Sequence, residues 1–339
     1  TMKAIQFSNY GSPEVLQYVT VDKPQPGASE ILIKVESVSV NYSDVARRSN
    51  APYPFPTPLP FIPGSEVAGI VEALGKGVDG PPVGTPVFAL VGQGSNGYAQ
   101  YAVTPAQQVI PVPPGLDLDQ APSLPVAGTT ALLILREMAG LPGGERILIQ
   151  GAAGGVGNYA VQLARILGAG QIIGATSSAA KFAAVKDFGA TDVIDYTQPG
   201  WAQEVRTLTK GQGVDVLLEM SGGANFAQGL AALAPFGRII VYGVASGTPL
   251  EFDDEARLRF FYNPSLNQSI QVFNLGLWFG MRPQAAGKAM ADLIGLVASG
   301  QVKAPVQQVL PLSQAAEAHR LMESRRTTGK IILKPWLDA

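Results

Sequence analysis

Hydrophobic and polar positions alternate along roughly the first 120 residues and change period after them. Ile31, Ile33 and Val35 recur at every second position, and the runs VAGIVEAL, PVFALV and YAQYAV are strand-like as well. Proline and glycine clusters separate these runs, and APYPFPTPLPFIPG is too rich in proline to be a helix or a central strand. The pattern predicts an irregular, barrel-like β domain whose strands are interrupted by an ordered surface loop over 51–64.

A different pattern extends from 122 to 265, where short apolar runs alternate with helix-like segments. The runs are RILIQ, VGNYAVQLARILG, QIIGAT, AAKFAAVKDFG, DVIDY, VDVLLEM and RIIVYG. Strand–helix alternation predicts a doubly wound parallel sheet with helices on both faces. After it, 266–339 contains NQSIQVFNL, two helical patterns and a final KIILK strand. We therefore expect an α/β chain in which 1–121 and 266–339 form a β-rich catalytic domain around a parallel-sheet domain.

Composition narrows the possible partners. A formal net charge of −2 over 339 residues, without a run of lysine and arginine, gives no attraction for nucleic acid. The start TMKAIQF lacks a charged segment followed by an apolar core, and no later run of about 18 apolar residues predicts a membrane span. We expect a soluble, cytoplasmic protein that acts on a small molecule, with no nucleic-acid or membrane partner.

The lack of cysteine removes a further set of functions. With no cysteine and a single histidine, His319, the chain has no disulfides, no cysteine nucleophile and no zinc site of the His and Cys type. His319 lies in SQAAEAHRLMESRR, a helix-like stretch that Ser313 could cap. A structural or surface histidine is the favoured interpretation over a catalytic one.

The segment RILIQGAAGGVGNYAVQLARILGA carries the strongest chemical signal. A strand over 147–149 is followed by a glycine turn and by a helix whose apolar face is marked by Val156, Ala160, Leu163 and Leu167. Backbone amides at such a helix N-terminus can hold a pyrophosphate. Ala152 stands at the first glycine of G-x-G-x-x-G, so a structural tight turn is the alternative, but the strand–turn–helix context favours dinucleotide binding.

The end of the second strand indicates which dinucleotide is bound. A site for NAD would place an acid about 20 residues on, where it would accept from the ribose 2′-hydroxyl. Here GATSSAAKF supplies Thr176, Ser177, Ser178 and Lys181 instead. Hydroxyls and an ammonium suit a 2′-phosphate, which favours NADPH. The alternative is that Ser178 caps the next helix and Lys181 is a surface lysine.

Motifs along nearly the whole chain resemble those of the medium-chain dehydrogenase/reductases, and within them the zinc-free quinone oxidoreductases. They are VNYSDVARRS, PFIPGSEVAGIVEALGKGV, NGYAQYAV, AGTTAL, GAAGGVGNYAVQLA and ESRRTTGKIIL. The resemblance implies a GroES-like β domain interrupted by a Rossmann domain. Zinc alcohol dehydrogenases of this superfamily have a cysteine where this chain has Asn41 and a histidine where it has Ser65, while Asp44 and Glu66 remain.

The resemblance also implies roles for individual residues. The residue at Asn41 would lie near the nicotinamide, Lys181 and the serines before it would hold the 2′-phosphate, and Tyr196 would contact the adenine side. The expected cofactor-binding set is Asn41, Thr129, Ala153, Gly154, Gly155, Val156, Thr176, Ser177, Lys181, Tyr196, Tyr242, Gly243, Phe273, Asn274 and Arg325, with no metal ligand. For Tyr242, Phe273 and Arg325 the alternatives are a strand end, a core aromatic and a solvated charge.

Without zinc, a chain of this kind is suited to a conjugated acceptor. Hydride delivered to a quinone or an α,β-unsaturated carbonyl spreads negative charge into a hydroquinone or enolate anion, which hydrogen bonds can stabilise. The predicted catalytic residues are Asn41, as a hydrogen-bond donor, and Tyr53, as a pocket residue or proton donor; Tyr53 could instead pack against prolines. Alternatives are a 2-enoyl-thioester or other enone reductase and a non-catalytic NADPH-binding protein. A homodimer through the edge strand near NQSIQVFNL is also expected.

Overall fold

Strands are the main regular elements in the first third of the chain and then alternate with helices. The structure is a computed structural model that describes residues 1–245, 247–262 and 266–338. Its strands, in chain order, are β1 Met2–Gln6, β2 Gln17–Val21, β3 Glu30–Ser39, β4 Glu66–Leu74, β5 Pro86–Leu90, β6 Tyr101–Pro105, β7 Val109–Pro111, β8 Arg146–Gln150, β9 Gln171–Thr176, β10 Asp192–Asp195, β11 Val214–Glu219, β12 Leu233–Val241, β13 Ser269–Val272, β14 Val306–Pro311 and β15 Lys330–Lys334.

The helices are concentrated in the second half of the chain. They are α1 Tyr42–Arg48, α2 Thr129–Leu133, α3 Gly155–Ile166, α4 Phe182–Phe188, α5 Trp201–Leu208, α6 Asn225–Ala232, α7 Asp254–Arg257, α8 Leu275–Met281, α9 Pro283–Ala298 and α10 Ala315–Glu323. Single π-helical turns flank α2 and follow α7. In the part of the chain that the structure describes, none of the helices has the length and apolar character of a membrane span.

The chain divides into two units, of which the first joins Thr1–Val126 to Ile294–Ala339. Its larger sheet has the strand order β14-β15-β3-β4-β5-β7, with β6 paired to β3. The long central strand β3 is buried at most positions because both of its faces are covered, and only β14 and β15 run parallel. This mainly antiparallel arrangement confirms the predicted β-rich, GroES-like domain, and the loop over 51–64 lacks helix and regular strand, as expected.

The second unit, Ala127–Leu293, is built on a six-stranded sheet with the order β10-β9-β8-β11-β12-β13. All five strand pairs are parallel. Helix α3 contacts α4, and α5 contacts α6, as two separate layers. This is the Rossmann order, in which the connections change direction between the first and fourth strands of the unit, here β8 and β11. The predicted doubly wound sheet is confirmed, and β8 ends at its switch point.

The second domain boundary differs from the expected one. The sequence interpretation ended the parallel-sheet domain at 265, a position outside the described residues, whereas the structure continues this unit to Leu293. The reason is that β13, within NQSIQVFNL, pairs in parallel with β12 as the sixth strand of the sheet. Residues 266–293 therefore extend the Rossmann unit instead of completing the β-rich domain, and the division falls inside α9. The first boundary, at Val126, lies five residues later than expected.

Two local predictions near the termini of helices had different outcomes. On α3, Ala160 and Leu163 are fully buried, as the apolar face predicted, while Val156 and Leu167 are only half-buried. The proposed cap Ser313 was wrong, because α10 begins two residues later at Ala315. The Ser313 hydroxyl instead donates to the carboxylate of Asp338.

Candidate active site

The turn after β8 leads into α3 through four glycines. Gly151 adopts the left-handed region, with φ of +60°, which costs glycine no steric clash. The motif lacks a glycine at Ala152, and Gly151 makes the tight turn one residue earlier. Gly151 was predicted to be one of the four glycines that form the turn, and its backbone conformation agrees with that prediction.

Gly157 allows the first turn of α3 to pack directly on the end of the strand. A Cβ on Gly157 would lie 1.9 Å from the carbonyl oxygen of Gly151 and 2.7 Å from its carbonyl carbon. No side chain fits in that space, so the third glycine of the motif serves close helix–strand packing.

The N-terminus of α3 presents backbone amides to any ligand over the turn. Gly154 occupies the N-cap and makes no side-chain cap, so the first amides of α3, from Gly155 and Val156, have neither an intrahelical partner nor a capping side chain. The Asn158 side chain donates to the carbonyls of Gly154 and Gly155, at 2.8 Å each, which braces the turn. Ala153, Gly154, Gly155 and Val156 thus surround a helix end that favours anions.

Three polar side chains and a tyrosine meet where β9 and β10 end. The Lys181 Nζ donates to Ser177 Oγ at 3.1 Å, and the Thr176 hydroxyl donates to the Ser178 carbonyl at 2.8 Å. The backbone N–H of Tyr196 donates to the carbonyl of Thr176 at 3.0 Å. Ser178 sits at the N-cap of the following 3-10 turn without a side-chain cap hydrogen bond, so the helix-capping alternative for it was wrong. The group offers an ammonium and hydroxyls to an anion.

A buried acid and a buried amide close the two strands at the switch point. Gln150 ends β8 and Glu219 ends β11, and both are fully buried. The Gln150 Oε1 accepts from the backbone N–H of Met220 at 3.1 Å, and the Glu219 Oε1 accepts from those of Ser221 and Gly222, at 2.8 Å each. Burial raises the pKa of the Glu219 carboxyl. Sequence reasoning missed both residues. A polar residue at the last position of an apolar strand is the signal that could have indicated them.

Tyr242 and Gly243 follow β12, one strand further along the sheet. The Tyr242 hydroxyl donates to the backbone carbonyl of Gln150 at 3.0 Å, and burial raises its pKa well above the usual range. This bond ties the end of β12 to that of β8. A Cβ on Gly243 would make only an ordinary contact, 3.7 Å from Cβ of Met220, so the packing does not require glycine there.

The remaining candidates of the second unit have local structural partners. The Phe273 ring stacks on Trp278 with centroids 6.5 Å apart. Asn274 is the N-cap of α8, and its side chain accepts from the N–H of Leu277 at 3.1 Å. Thr129 is the fully buried first residue of α2. For Phe273 and Asn274 the contacts are those of packing and of helix capping.

Asn41 is the centre of a buried polar cluster in the first unit. Its Nδ2 donates to Glu66 Oε1 at 2.8 Å, and its Oδ1 accepts from Lys330 Nζ at 2.7 Å. Because an ammonium only donates and a carboxylate only accepts, the amide orientation is fixed. Lys330 Nζ also donates to the carbonyl of Val40 at 2.8 Å and lies 3.8 Å from Glu66. The arrangement leaves one N–H of the Asn41 amide as a fixed donor.

The charged members of this cluster are held away from water. Lys330 and Glu66 are 3% and 0% exposed. Burial lowers the pKa of Lys330 and raises the pKa of Glu66, while the charge of each partner opposes the shift of the other. The second Glu66 oxygen, Oε2, accepts from the N–H of Val126 at 2.8 Å. Sequence reasoning missed Lys330 entirely, because a lysine that begins an apolar strand gives no chemical signal.

Tyr53 lies over the side chain of Arg47, which was also missed. The Arg47 guanidinium carbon is 4.6 Å from the centroid of the Tyr53 ring, and its nitrogens donate to the carbonyls of Pro56 at 2.6 Å and Gly94 at 2.9 Å. A Cβ on Gly94 would lie 3.2 Å from the Tyr53 hydroxyl and 3.3 Å from the Ser65 hydroxyl. The two hydroxyls therefore converge on the space beside Gly94. Burial raises the pKa of Tyr53, so its phenol keeps its proton at neutral pH.

The candidates fall into two groups, one in each unit. Asn41, Tyr53 and Arg325 belong to the first unit, and Arg325 is exposed with φ of +57°. The turn residues, Lys181 and the other candidates belong to the second unit. Across 1–245, 247–262 and 266–338, no group of three or more His, Cys, Asp or Glu side chains is arranged to hold a metal ion. Asn41 and Ser65, at the implied ligand positions, offer an amide and a hydroxyl.

Comparison with known proteins agrees with this architecture. The model of the alcohol dehydrogenase GroES-like domain matches residues 27–114, and that of zinc-binding dehydrogenases matches 188–333. A quinone oxidoreductase of Pseudomonas aeruginosa is 34% identical over 98% of this chain and 99% of its own length. A 2-haloacrylate reductase of a Burkholderia species is 31% identical over 96% of each chain.

A solved structure extends the likeness to three dimensions. The crystal structure of Escherichia coli quinone oxidoreductase, complexed with NADPH, superposes with a TM-score of 0.88 at 29% identity, over 98% of this chain and 100% of that one. Similarity over the full length of both chains, together with a GroES-like unit and a Rossmann unit, identifies the family. The chain belongs to the quinone oxidoreductases of the medium-chain dehydrogenase/reductase superfamily.

Proposed function

We propose that the protein is an NADPH-dependent reductase that delivers hydride to quinones or related conjugated carbonyl compounds without zinc. The observation that carries this proposal is the Asn41 amide, fixed between Lys330 and Glu66 at 2.7 and 2.8 Å. It stands at the position where zinc relatives have a cysteine ligand. With no cysteine and with its one histidine bonded to Arg48 and Tyr98, the chain does not have residues that fit a catalytic zinc.

NADPH is the proposed cofactor because the second unit provides for both of its phosphate groups. The amides at the start of α3 would hold the pyrophosphate in the space that Gly151 and Gly157 leave open. Lys181, with Ser177 and Thr176, would hold the 2′-phosphate through charge-assisted hydrogen bonds. The E. coli relative was crystallised with NADPH, which supports the same choice here.

The residues of the first unit would act on the acceptor. A bound NADPH supplies the hydride. The free N–H of Asn41 would donate to the acceptor oxygen as negative charge develops there, and the neutral Tyr53 phenol would line the pocket. Conjugation disperses that charge, so fixed hydrogen-bond donors replace the Lewis acid that an unconjugated ketone needs.

Steady-state assays of purified protein would test the proposal. With 1,4-benzoquinone as acceptor, we expect the kcat/KM for NADPH to be at least tenfold above that for NADH. Dialysis of the protein against EDTA before the assay should not change this activity. Equal turnover of NADH and NADPH would reject the cofactor, and activation by added Zn²⁺ would reject the zinc-free mechanism. Absence of NADPH oxidation with every quinone and enone, despite nucleotide binding, would favour a non-catalytic protein.

An enone reductase is the second candidate. It is favoured by the protonated Tyr53 phenol beside Ser65, since reduction of a C=C bond needs a proton at the neighbouring carbon, and by the similarity to a haloacrylate reductase. An acyl-CoA enone and 1,4-benzoquinone assayed at matched concentrations would separate the two. A higher kcat/KM for the enone would replace the quinone assignment.

We propose that the protein forms a homodimer through β13. This strand lies at the edge of the sheet, where unpaired backbone groups can pair with a second copy. Val272 at its end and Leu277 and Met281 on α8 are 72%, 63% and 77% exposed. Light scattering should give a molar mass twice that of the monomer. The Val272→Lys variant should have the mass of a monomer. Val83→Lys, at a 62% exposed valine of the first unit, is the control; a monomeric wild type would refute the proposal.

A further inference from the structure

A line of buried hydrogen bonds leads away from Asp44, one turn after Asn41. The Tyr98 hydroxyl lies 3.1 Å from Asp44 Oδ2 and 3.1 Å from His319 Nε2, and the His319 Nδ1 lies 2.9 Å from a nitrogen of Arg48. Arg48 in turn pairs with Glu323 at the end of α10. Asp44, Tyr98 and His319 are 0% exposed and Arg48 is 2% exposed, so water does not compete for the bonds that join these four residues; the Glu323 side chain is 33% exposed.

The direction of every hydrogen bond in this line follows from its ends. A guanidinium only donates, so the His319 Nδ1 accepts from Arg48. Burial and the nearby charge of Arg48 lower the pKa of His319 to about 3, so the ring is neutral and carries its proton on Nε2. His319 must then donate to the Tyr98 oxygen, and the Tyr98 hydroxyl must donate to Asp44.

At its other end, the line reaches the backbone of Asn41. The Asp44 Oδ2 accepts from the Asn41 N–H at 2.9 Å, and the Oδ1 accepts from the N–H of Gly64 at 3.1 Å. Asp44 thus accepts from three donors: the Tyr98 hydroxyl, the backbone amide of Asn41 and that of Gly64, which precedes Ser65. Lys330 and Glu66 fix the Asn41 side chain, and Asp44 fixes its main chain.

We propose that Tyr98, His319 and Arg48 are positioning residues for the reductase reaction, which act through the Asp44 carboxylate to hold Asn41 in its donor geometry. The inference rests on the proposed function. None of the three touches the acceptor. Their common effect is to favour the carboxylate form of Asp44, the form that accepts all three hydrogen bonds.

The charges around Asp44 determine the pH range over which its carboxyl is ionised. Lys330 and Arg47 face it with positive charge, and the phenols of Tyr53 and Tyr98 lie near it. Burial, opposed by the hydrogen bonds and by Lys330, raises the pKa of Asp44 to about 6. Activity that needs the carboxylate is therefore complete above this pH and is lost as the pH falls through it.

Tyr98→Phe tests the inference because the ring keeps its volume and loses only the hydroxyl. Loss of a donor to the carboxylate raises the pKa of Asp44, so the acidic limb of kcat should move up by about one pH unit, a tenfold loss of kcat below the limb. The kcat at pH 9 and the KM for NADPH should not change. Tyr101→Phe, a half-buried tyrosine on β6, is the control and should leave the limb in place.

Asp44→Asn separates positioning from structural support. In that background the limb is absent, and adding Tyr98→Phe should have no further effect on the pH profile. The inference is overturned if Tyr98→Phe lowers the thermal midpoint and leaves the pH profile of kcat unchanged. It is also overturned if Tyr98→Phe shifts that profile by the same amount in the Asp44→Asn background as in the wild type. Should Tyr98→Phe not fold, His319→Leu should shift the limb and His319→Gln, which still donates to Tyr98, should restore it.

A readout without turnover tests the linkage of Asp44 to Asn41 separately from the proposed function. The ¹H–¹⁵N resonance of the Asn41 backbone amide should titrate with Asp44 near pH 6 in the wild type and about one unit higher in Tyr98→Phe. A resonance that does not respond to pH over this range overturns the inference. If the resonance titrates while no acceptor is reduced, the proposed function fails and the linkage of Asp44 to Asn41 stands.

Discussion

The phosphate-binding turn and the polar cluster around Asn41 belong to different units, and they are assembled over different distances along the chain. Strand, turn and helix of the first occupy one continuous segment, from β8 through α3. The second joins Asn41 to Glu66 and to Lys330, which are 25 and 289 positions away. One site is built from local backbone geometry and the other from long-range pairing of charged groups.

This difference determines how each region tolerates substitution. In the turn, the lack of side chains lets the backbones approach, and at Gly157 an added Cβ has no space. In the Asn41 cluster, by contrast, it is the removal of atoms that is costly. Each buried polar atom needs its hydrogen-bond or ion-pair partner, and removing one group leaves another buried without a partner. Substitutions in each region therefore test this contrast.

The largest effect is expected from Gly157→Ala. The new Cβ would lie 1.9 Å from the Gly151 carbonyl oxygen, so α3 must move off the strand end. We expect the free energy of unfolding to fall by about 4 kcal/mol and NADPH binding, followed by fluorescence, to be lost. Gly287→Ala, an exposed glycine in α9 with nothing near its added Cβ, should instead stabilise by up to about 1 kcal/mol. Full binding by Gly157→Ala would contradict the packing role.

Lys330→Met should have the next largest effect, on stability and turnover together. It leaves the Glu66 carboxylate buried without its cation and the Asn41 Oδ1 without its donor. We expect a loss of about 3 kcal/mol in urea unfolding. Adding Glu66→Gln neutralises the orphaned carboxylate and should recover most of that stability, but not kcat. If the double variant is no more stable than Lys330→Met, the buried charge is not the cause.

The same contrast explains what the sequence could and could not predict. The Rossmann order, the β-rich unit and the N-terminus of α3 follow from periodicity and from a contiguous glycine motif. Lys330 could not be found this way, because a lysine before an apolar strand is usually solvated and its partner lies in another segment. Arg47, too, has the sequence pattern of a cation at a helix end. In the structure its guanidinium packs against the Tyr53 ring and donates to the carbonyl of Pro56, which stabilises their loop.

The domain boundary after β12 was misplaced for a related reason. The short run of β13 is compatible with either sheet, and only its register with Arg238–Val241 of β12 assigns it to the parallel one. Likewise, His319 reads as a surface or structural residue, and the structural alternative is the one that its burial supports. Neither the pairing of β13 with β12 nor the burial of His319 can be predicted from local composition.

Lys181→Ala probes the local region with a smaller expected effect. Loss of one charge-assisted interaction with the 2′-phosphate should raise the KM for NADPH by about 10–100-fold and leave the KM for NADH within about twofold. Lys186→Ala, an exposed lysine on the next helix, is the control. Equal increases for both nucleotides would indicate that Lys181 supports the fold of the turn instead of the phosphate.

The smallest effect is expected for Tyr53→Phe, which removes a hydroxyl from the non-local region and keeps the ring over Arg47. As a neutral hydrogen-bond donor to the acceptor, the phenol contributes about 1 kcal/mol, so kcat with 1,4-benzoquinone should fall about fivefold. Tyr53→Leu also removes the ring that covers the Arg47 guanidinium and should disturb the loop over 51–64, with a larger rise in KM. Stopped-flow measurement of NADPH oxidation separates the chemical step from product release in both variants.

The acceptor used in that experiment decides the role of the phenol. A quinone takes its protons on oxygen, which water reaches, whereas an enone needs a proton on carbon. If Tyr53 is a general acid, Tyr53→Phe should cost about 100-fold or more with an enone and only about fivefold with the quinone. Equal losses with both acceptors would leave Tyr53 as a pocket residue. The proton would then come from solvent, and Asn41, fixed by residues far away in sequence, would be the principal donor of the site.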